Sequence, residues 1–231
     1  EFLLSYEAGW RSQWLDKKLT VNGTAFFSDY QDQQVRFLDE EQLNRTVNAG
    51  DTSIYGLELS ADYQATADWN IYGSIGLLES DINEFEFQAD DPSTTTIDES
   101  IDLSGNDLSR SPNVSFTLGA SYDHESGLFG SISLNYQSSY DSNIFNLGPD
   151  ELLNGLTERT EPSTLVNARL GYEIGNFTLT AFVTNLLDDN DPESITLGGA
   201  NALRVPGTLS DVSSFTLRQP RSFGVSLDAS F

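Results

Sequence analysis

The sequence predicts an all-β protein: an antiparallel transmembrane β-barrel wall of about nine strands. Three observations predict it. Apolar and polar residues alternate along nearly the whole chain, the period of a strand with different surroundings on its two faces. Short and long connections alternate strictly between the segments. Aromatic rings gather at the short connections rather than mid-strand.

The segments run in order. Phe2, Leu4, Tyr6, Ala8 and Trp10 share one parity, and Ser5, Glu7, Gly9 and Arg11 the other. Leu19 to Phe27 repeats the pattern, with Phe26 as an exception. Tyr55 to Tyr63, Ile71 to Leu77, Val114 to Tyr122, Leu128 to Tyr136, Val166 to Ile174 and Phe177 to Val183 follow. The last segment is RSFGVSLDASF, residues 221–231, with Phe223, Val225, Leu227, Ala229 and Phe231 on the apolar side. No helical periodicity is visible.

The short connections are LDKK, TADW, DHESG and GN. The long ones cover about 39–51, 88–111, 146–162 and 189–219. Such loops are uncommon in compact soluble domains. Tight turns at one end and long loops at the other are how bacterial outer-membrane barrels are built. Trp14, Trp69, Tyr122, Phe129, Tyr172, Phe177 and Phe231 lie at or beside the short turns or at the chain end. Amphipathic rings favour the boundary between hydrocarbon and water, so they are expected to form a girdle there.

Composition narrows the function. Thirty-six acidic residues against eleven basic ones give a net charge of −25, which repels nucleic acid. There is no Cys and one His, so thiolate chemistry and a zinc site of the usual ligands are unavailable. That residue, His124, lies in the turn DHESG and is read as solvated; no Ser/His/Asp set assembles on the loop side, so no enzyme is expected. No run of apolar residues is long enough for a spanning helix. The first residues, EFLLSYEAGW, already read as a strand, and an odd strand count is at variance with the even number of a closed bacterial barrel. The expectation is therefore a later part of a longer chain.

Several segments, in order, resemble TonB-dependent outer-membrane receptors. IYGLELSADYQATADWNIYGSIGLLES carries the Tyr55, Gly56 and Glu58 strand of a late hairpin. LSGNDLSRSPNVSFTLGASY carries an Arg-x-Pro entry, Arg110 and Pro112. STLVNARLGYEIGNFTLTAFVTNLLDD ends on Asn185, Leu186 and Asp188. QPRSFGVSLDASF supplies Pro220, Arg221, Gly224 and the terminal Phe231. The resemblance implies a barrel of twenty-two strands, of which residues 1–231 would be the carboxy-terminal portion, the plug domain and first strands lying elsewhere. It also implies a Gram-negative outer-membrane location and active uptake of a scarce bulky solute. A ferric siderophore or other iron complex is the first expectation, with glycan, haem or cobalamin as alternatives. The partners implied are TonB through the plug, outer-membrane lipid and lipopolysaccharide, and the barrel-assembly machinery through the last strand. The rival readings are a passive porin-like channel and a soluble glycan-binding β-sandwich.

Ligand contacts are less legible. Loop candidates are Phe145, Arg159, Arg204 and Phe215, rings that stack and cations that meet an anionic solute. No cofactor is expected. The acidic loops, with Asp90, Asp91, Asp98, Glu99, Asp102 and Asp107 in one and Asp39, Glu40, Glu41 and Asp51 in another, offer hard oxygen ligands for Ca2+. EF-hand spacing is absent, and solvated loop charge is the ordinary reading. On the polar face, Glu7, Arg11, Glu58, Asp62, Arg169, Glu173 and Asp228 are expected to form cross-strand salt bridges.

Overall fold

The computed structural model describes residues 1–38, 44–48, 50–89, 99–142, 158–196 and 214–230. Nine strands form one antiparallel sheet. They are β1 (Phe2–Trp14), β2 (Leu19–Gln31), β5 (Asp51–Gln64), β6 (Trp69–Glu84), β9 (Val114–Asp123), β10 (Leu128–Gln137), β11 (Ser163–Ile174), β12 (Phe177–Thr184) and β15 (Ser222–Ala229). Their order is β1-β2-β5-β6-β9-β10-β11-β12-β15, a meander in which sequence neighbours pair.

The long connections hold structure that alternation did not reveal. Three contain two-stranded ribbons: β3 (Gln34–Leu38) with β4 (Asn44–Asn48), β7 (Glu86–Ala89) with β8 (Glu99–Asp102), and β13 (Pro192–Thr196) with β14 (Ser214–Leu217). These strands are only four or five residues long, too short for a period to stand out. Ribbons of that kind need support from the rest of the fold.

The short turns are locally determined. Gly127 (φ 89) and Gly175 (φ 59) adopt left-handed conformations that favour glycine. Thr66 Oγ1 accepts from the amides of Asp68 and Trp69 at 3.2 and 3.1 Å. The turn at 15–18 is unusual: Leu15, Asp16 and Lys17 all have positive φ (55, 56 and 68) without a glycine among them.

There is no second layer of structure over the sheet among the described residues. Large apolar side chains lie open along it: Trp10 is 50% exposed, Leu170 60%, Val225 70% and Phe223 82%. Leaving this much apolar surface in water would be very unfavourable at about 25 cal/mol per Å2. In hydrocarbon it costs nothing, and the sheet satisfies its interior backbone groups by strand pairing. The conventional core is small and sits at the loop end, where Ile82, Phe85, Leu103 and Tyr140 are buried.

Two expectations are corrected. Phe129 does not join the girdle: it opposes Gly171 on the polar face, and its ring occupies the space a Cβ at 171 would take. The polar-face charges form no ion pairs with one another among the described residues, because each stands opposite neutral neighbours. Glu58 opposes Thr24 and Gly76, and Arg169 opposes Ser131 and Phe182. Arg169 Nε instead donates to Ser131 Oγ at 3.1 Å, and Asp62 accepts from Asn70 Nδ2 at 3.0 Å.

Candidate functional site

Two surfaces can meet a solute: the polar wall and the rim where the loops begin. The wall is built by parity alone, since every second residue of β2, β5, β6, β9 and β10 points to the same side. It carries a cleft of about 500 Å3 lined by Asn22, Glu58, Ser60, Thr117, Asn135 and Gln137, among others. Asn22 Nδ2 donates to Ser60 Oγ at 3.2 Å, and Thr117 Oγ1 donates to Asn135 Oδ1 at 2.9 Å. The buried Asn22 Oδ1 accepts no hydrogen bond. Apart from Glu58, the side chains named here are neutral amides and hydroxyls, suited to exchangeable hydrogen bonds with a polar surface rather than to acid–base chemistry.

At the rim, Asp141 and Arg159 form an isolated bridge between the strand ends of β10 and β11. Arg159 Nη1 donates to Asp141 Oδ2 at 2.6 Å, while Asp141 itself is 3% exposed. Burial holds the Asp141 carboxyl above its ordinary value; Arg159 opposes that shift and Asp107 adds to it. The Arg110 amide donates to the Asp141 carbonyl at 2.8 Å, with Arg110 at φ 59. The Tyr140 hydroxyl reaches the Glu193 carbonyl at 2.6 Å, and Ser142 Oγ accepts from the Ile195 amide at 3.1 Å. Three loop bases are thereby tied together.

A second node joins two of the sequence motifs. Asn185, 4% exposed and at φ 50, donates through Nδ2 to the carbonyls of Asp189 and Gln219 at 2.9 and 3.0 Å. Its Oδ1 accepts from the Asp189 amide at 2.9 Å. The Arg221 amide donates to Asp188 Oδ1 at 3.2 Å, and the two side chains pair at 3.4 Å. Arg218 pairs with Asp189 at 3.3 Å. Asn185, Asp188 and Arg221 thus act as a staple between β12 and β15. Leu186 is 42% exposed beside it, and its carbonyl accepts from Arg221 Nη1 at 3.4 Å. Pro220 is exposed and sits in the segment that leads into β15.

The other called residues disperse. Tyr55 is 43% exposed on the apolar face, opposite Phe27. Gly56 lies under the Phe26 ring. Glu58, Arg110 and Pro112 line a smaller hollow of about 200 Å3 on the wall. Gly224 lies under Phe182. Phe215 is 52% exposed in β14, opposite Ile195. Phe145, Arg204 and Phe231 lie outside the described residues, as do Asp39, Glu40, Glu41, Asp90, Asp91 and Asp98. Among the described residues no three potential metal-ligating side chains converge. The Asp141 node was not anticipated; its only signal in the sequence was the buried-type residue Tyr140 beside an acid in a loop.

The family model for the TonB dependent receptor-like β-barrel matches residues 1–186. The chain belongs to this family. TonB-dependent receptors are transporters and receptors of the outer membrane of Gram-negative bacteria, and that is the location of this chain. The fold is shared with solved structures. The ferric yersiniabactin uptake receptor FyuA from Yersinia pestis matches at 17% identity and a TM-score of 0.71, over 99% of this chain and 30% of that one. The siderophore receptor PiuA from Acinetobacter baumannii matches at 18% identity and a TM-score of 0.68, over 97% and 28%. The copper transporter OprC matches at 16% identity and a TM-score of 0.65, over 99% and 31%. The chain therefore spans about a third or less of the length of these proteins, and it shares their fold over that stretch.

Proposed function

We propose that this chain supplies wall and outer loops to an active importer that takes up an iron complex, most simply a ferric siderophore, in a TonB-dependent manner. The observation that carries the reading is the two-sided sheet of a TonB-dependent receptor, apolar on one face and polar on the other, with every long connection at one end. The sheet's two margins, β1 and β15, each have one neighbour, and unpaired edges in lipid cost several kcal/mol per group. In the whole receptor both margins take further strands, and a plug domain rests against the amide and hydroxyl wall.

The charge distribution qualifies the cargo. Among the described rim residues, Arg159, Arg218 and Arg221 are each paired with a carboxylate, while Arg110 is exposed and forms no ion pair among the described residues. A strongly anionic complex would need positive charge beyond that of Arg110 from elsewhere in the receptor. Arg159 is tied to Asp141 with part of its side chain still exposed, and Phe215 is open to a ligand. Glycan, haem and cobalamin are alternatives for the same fold. The single sheet does not fit a soluble sandwich.

The test is uptake by iron-limited cells carrying the full-length receptor. Radiolabelled ferric siderophores, haem, cobalamin and maltodextrins would be offered with and without TonB. Saturable uptake of a ferric siderophore that vanishes without TonB supports the proposal. Uptake of small solutes regardless of TonB would establish a passive channel instead.

A further inference from the structure

The chain has two lysines, Lys17 and Lys18, and they are adjacent. Both are exposed in the short turn between β1 and β2, and neither forms an ion pair among the described residues. In a chain of net charge −25 that placement is specific. Asp16 is the only acid in the turn, so the turn is net positive. Trp14 and Leu15, each 60% exposed, flank it on the side of the apolar face. Three successive left-handed residues without glycine hold the turn in a conformation that costs about 1–2 kcal/mol per residue.

Directly beyond this turn the apolar face has a trough of about 560 Å3. Its floor is lowest where the small residues Ala61 and Gly73 face each other, with Val21 opposite Ala61 and Leu118 opposite Gly73 on either side. Tyr63 and Ile71 close the end nearer the turn, and Leu19, the residue after Lys18, opposes Tyr63. Lys18 and Val21 are three residues apart, about 10 Å along the strand; Lys18 continues the polar parity of Thr20 and Asn22, and Lys17 stands in the turn itself. An apolar slot and a pair of free cations are therefore set a headgroup's distance apart, at the end of the sheet where the short turns meet the inner leaflet.

We propose that this turn and trough bind one anionic glycerophospholipid of the inner leaflet. Its phosphate meets Lys17 in the turn, Lys18 adds to the local positive charge, and one acyl chain lies in the slot over Ala61 and Gly73. A zwitterionic lipid would use the slot without gaining from the lysines.

The test uses the full-length receptor in detergent, titrated with phosphatidylglycerol and phosphatidylethanolamine of identical acyl chains and read by native mass spectrometry. Each lysine at an anionic surface contributes about five-fold, so phosphatidylglycerol should bind at least about tenfold more tightly. The double variant Lys17→Gln, Lys18→Gln should abolish that preference and leave phosphatidylethanolamine binding unchanged. Ala61→Phe, which fills the slot, should weaken both lipids. Equal binding of the two lipids by the unaltered receptor overturns the proposal, and this comparison needs no variant. So does a preference that survives the double variant. Displacement of the lipid by glycerol 3-phosphate alone would show phosphate recognition without the slot and overturn it equally. Heat-dependent gel mobility identifies folded variants.

Discussion

Phe182 on β12 covers Gly224 on β15: the two residues are directly opposed, and a Cβ at 224 would fall 2.7 Å from Phe182 Cζ. The same relationship recurs on the polar face for Phe26 over Gly56, Tyr72 over Gly119 and Phe129 over Gly171. The four pairs fall at the β2·β5, β6·β9, β10·β11 and β12·β15 seams. Those are the four seams whose strands are joined by long connections. A short turn sets the register of its hairpin, whereas a long loop leaves it open to a slip that would turn every side chain to the wrong face. A ring that fits only over a glycine supplies that constraint on the polar face; on the apolar face Trp10 covers Gly23 in the same way at the β1·β2 seam, where it adds to the constraint of a short turn.

Enlarging such a glycine should therefore harm the barrel. Gly224→Val or Gly119→Val is expected to destabilise the refolded full-length receptor by about 1–3 kcal/mol, the usual cost of overpacking. Gly76→Ala, where the nearest atom is the Ser115 hydroxyl at 3.1 Å, should change little. Urea unfolding in lipid vesicles measures both. Equal tolerance at all three positions would remove the register argument.

The Asn185 staple predicts a larger loss. Asn185→Ala removes three hydrogen bonds from a buried side chain and leaves the Asp189 amide and the Gln219 carbonyl without them. About 2–4 kcal/mol is expected. Asn185→Asp keeps the acceptor for the Asp189 amide but turns a donor toward the Gln219 carbonyl into an acceptor, so it should not rescue. Urea unfolding together with hydrogen exchange near β15 reads the effect, and wild-type stability in Asn185→Ala would contradict the staple.

The buried Asp141 gives a signed pH dependence. Its folded-state carboxyl is raised above the ordinary value of 3.8. The stability it contributes is thus complete below that value and is lost as pH rises through the folded-state value. Protection of the Arg110 amide, corrected for intrinsic exchange, should fall across that window and then level off. In Asp141→Asn the same window should be flat. Protection that rises with pH would show that the Arg159 pairing outweighs burial.

How much of this could be read from the chain differs by element. The nine strands were legible because Phe223, Val225 and Leu227, like Tyr55, Leu57 and Leu59, alternate against polar residues, and lipid rewards that period without interruption. Phe26 and Phe129 broke the parity, and only their opposed glycines explain them, through pairing between strands that sequence distance hides. The ribbons β3–β4, β7–β8 and β13–β14 were not read, because runs of four or five residues are too short for a period to stand out from loop sequence. At the site, Asn185, Asp188 and Arg221 were visible as motif positions, but their meeting was not. Arg159 was noticed as a cation for a ligand; its pairing with Asp141, eighteen residues away, was not visible.

The account rests on the apolar parity facing hydrocarbon. Spin labels at Ile132, Leu170 and Val225, and at Ser133, Arg169 and Ser226, would be placed one at a time in the full-length receptor in lipid bilayers. Collision with dissolved oxygen against a water-soluble nickel chelate would then be measured. The first set should favour oxygen and the second the chelate, alternating residue by residue. Chelate access at both sets, or at neither, would contradict a membrane wall with a wet inner face.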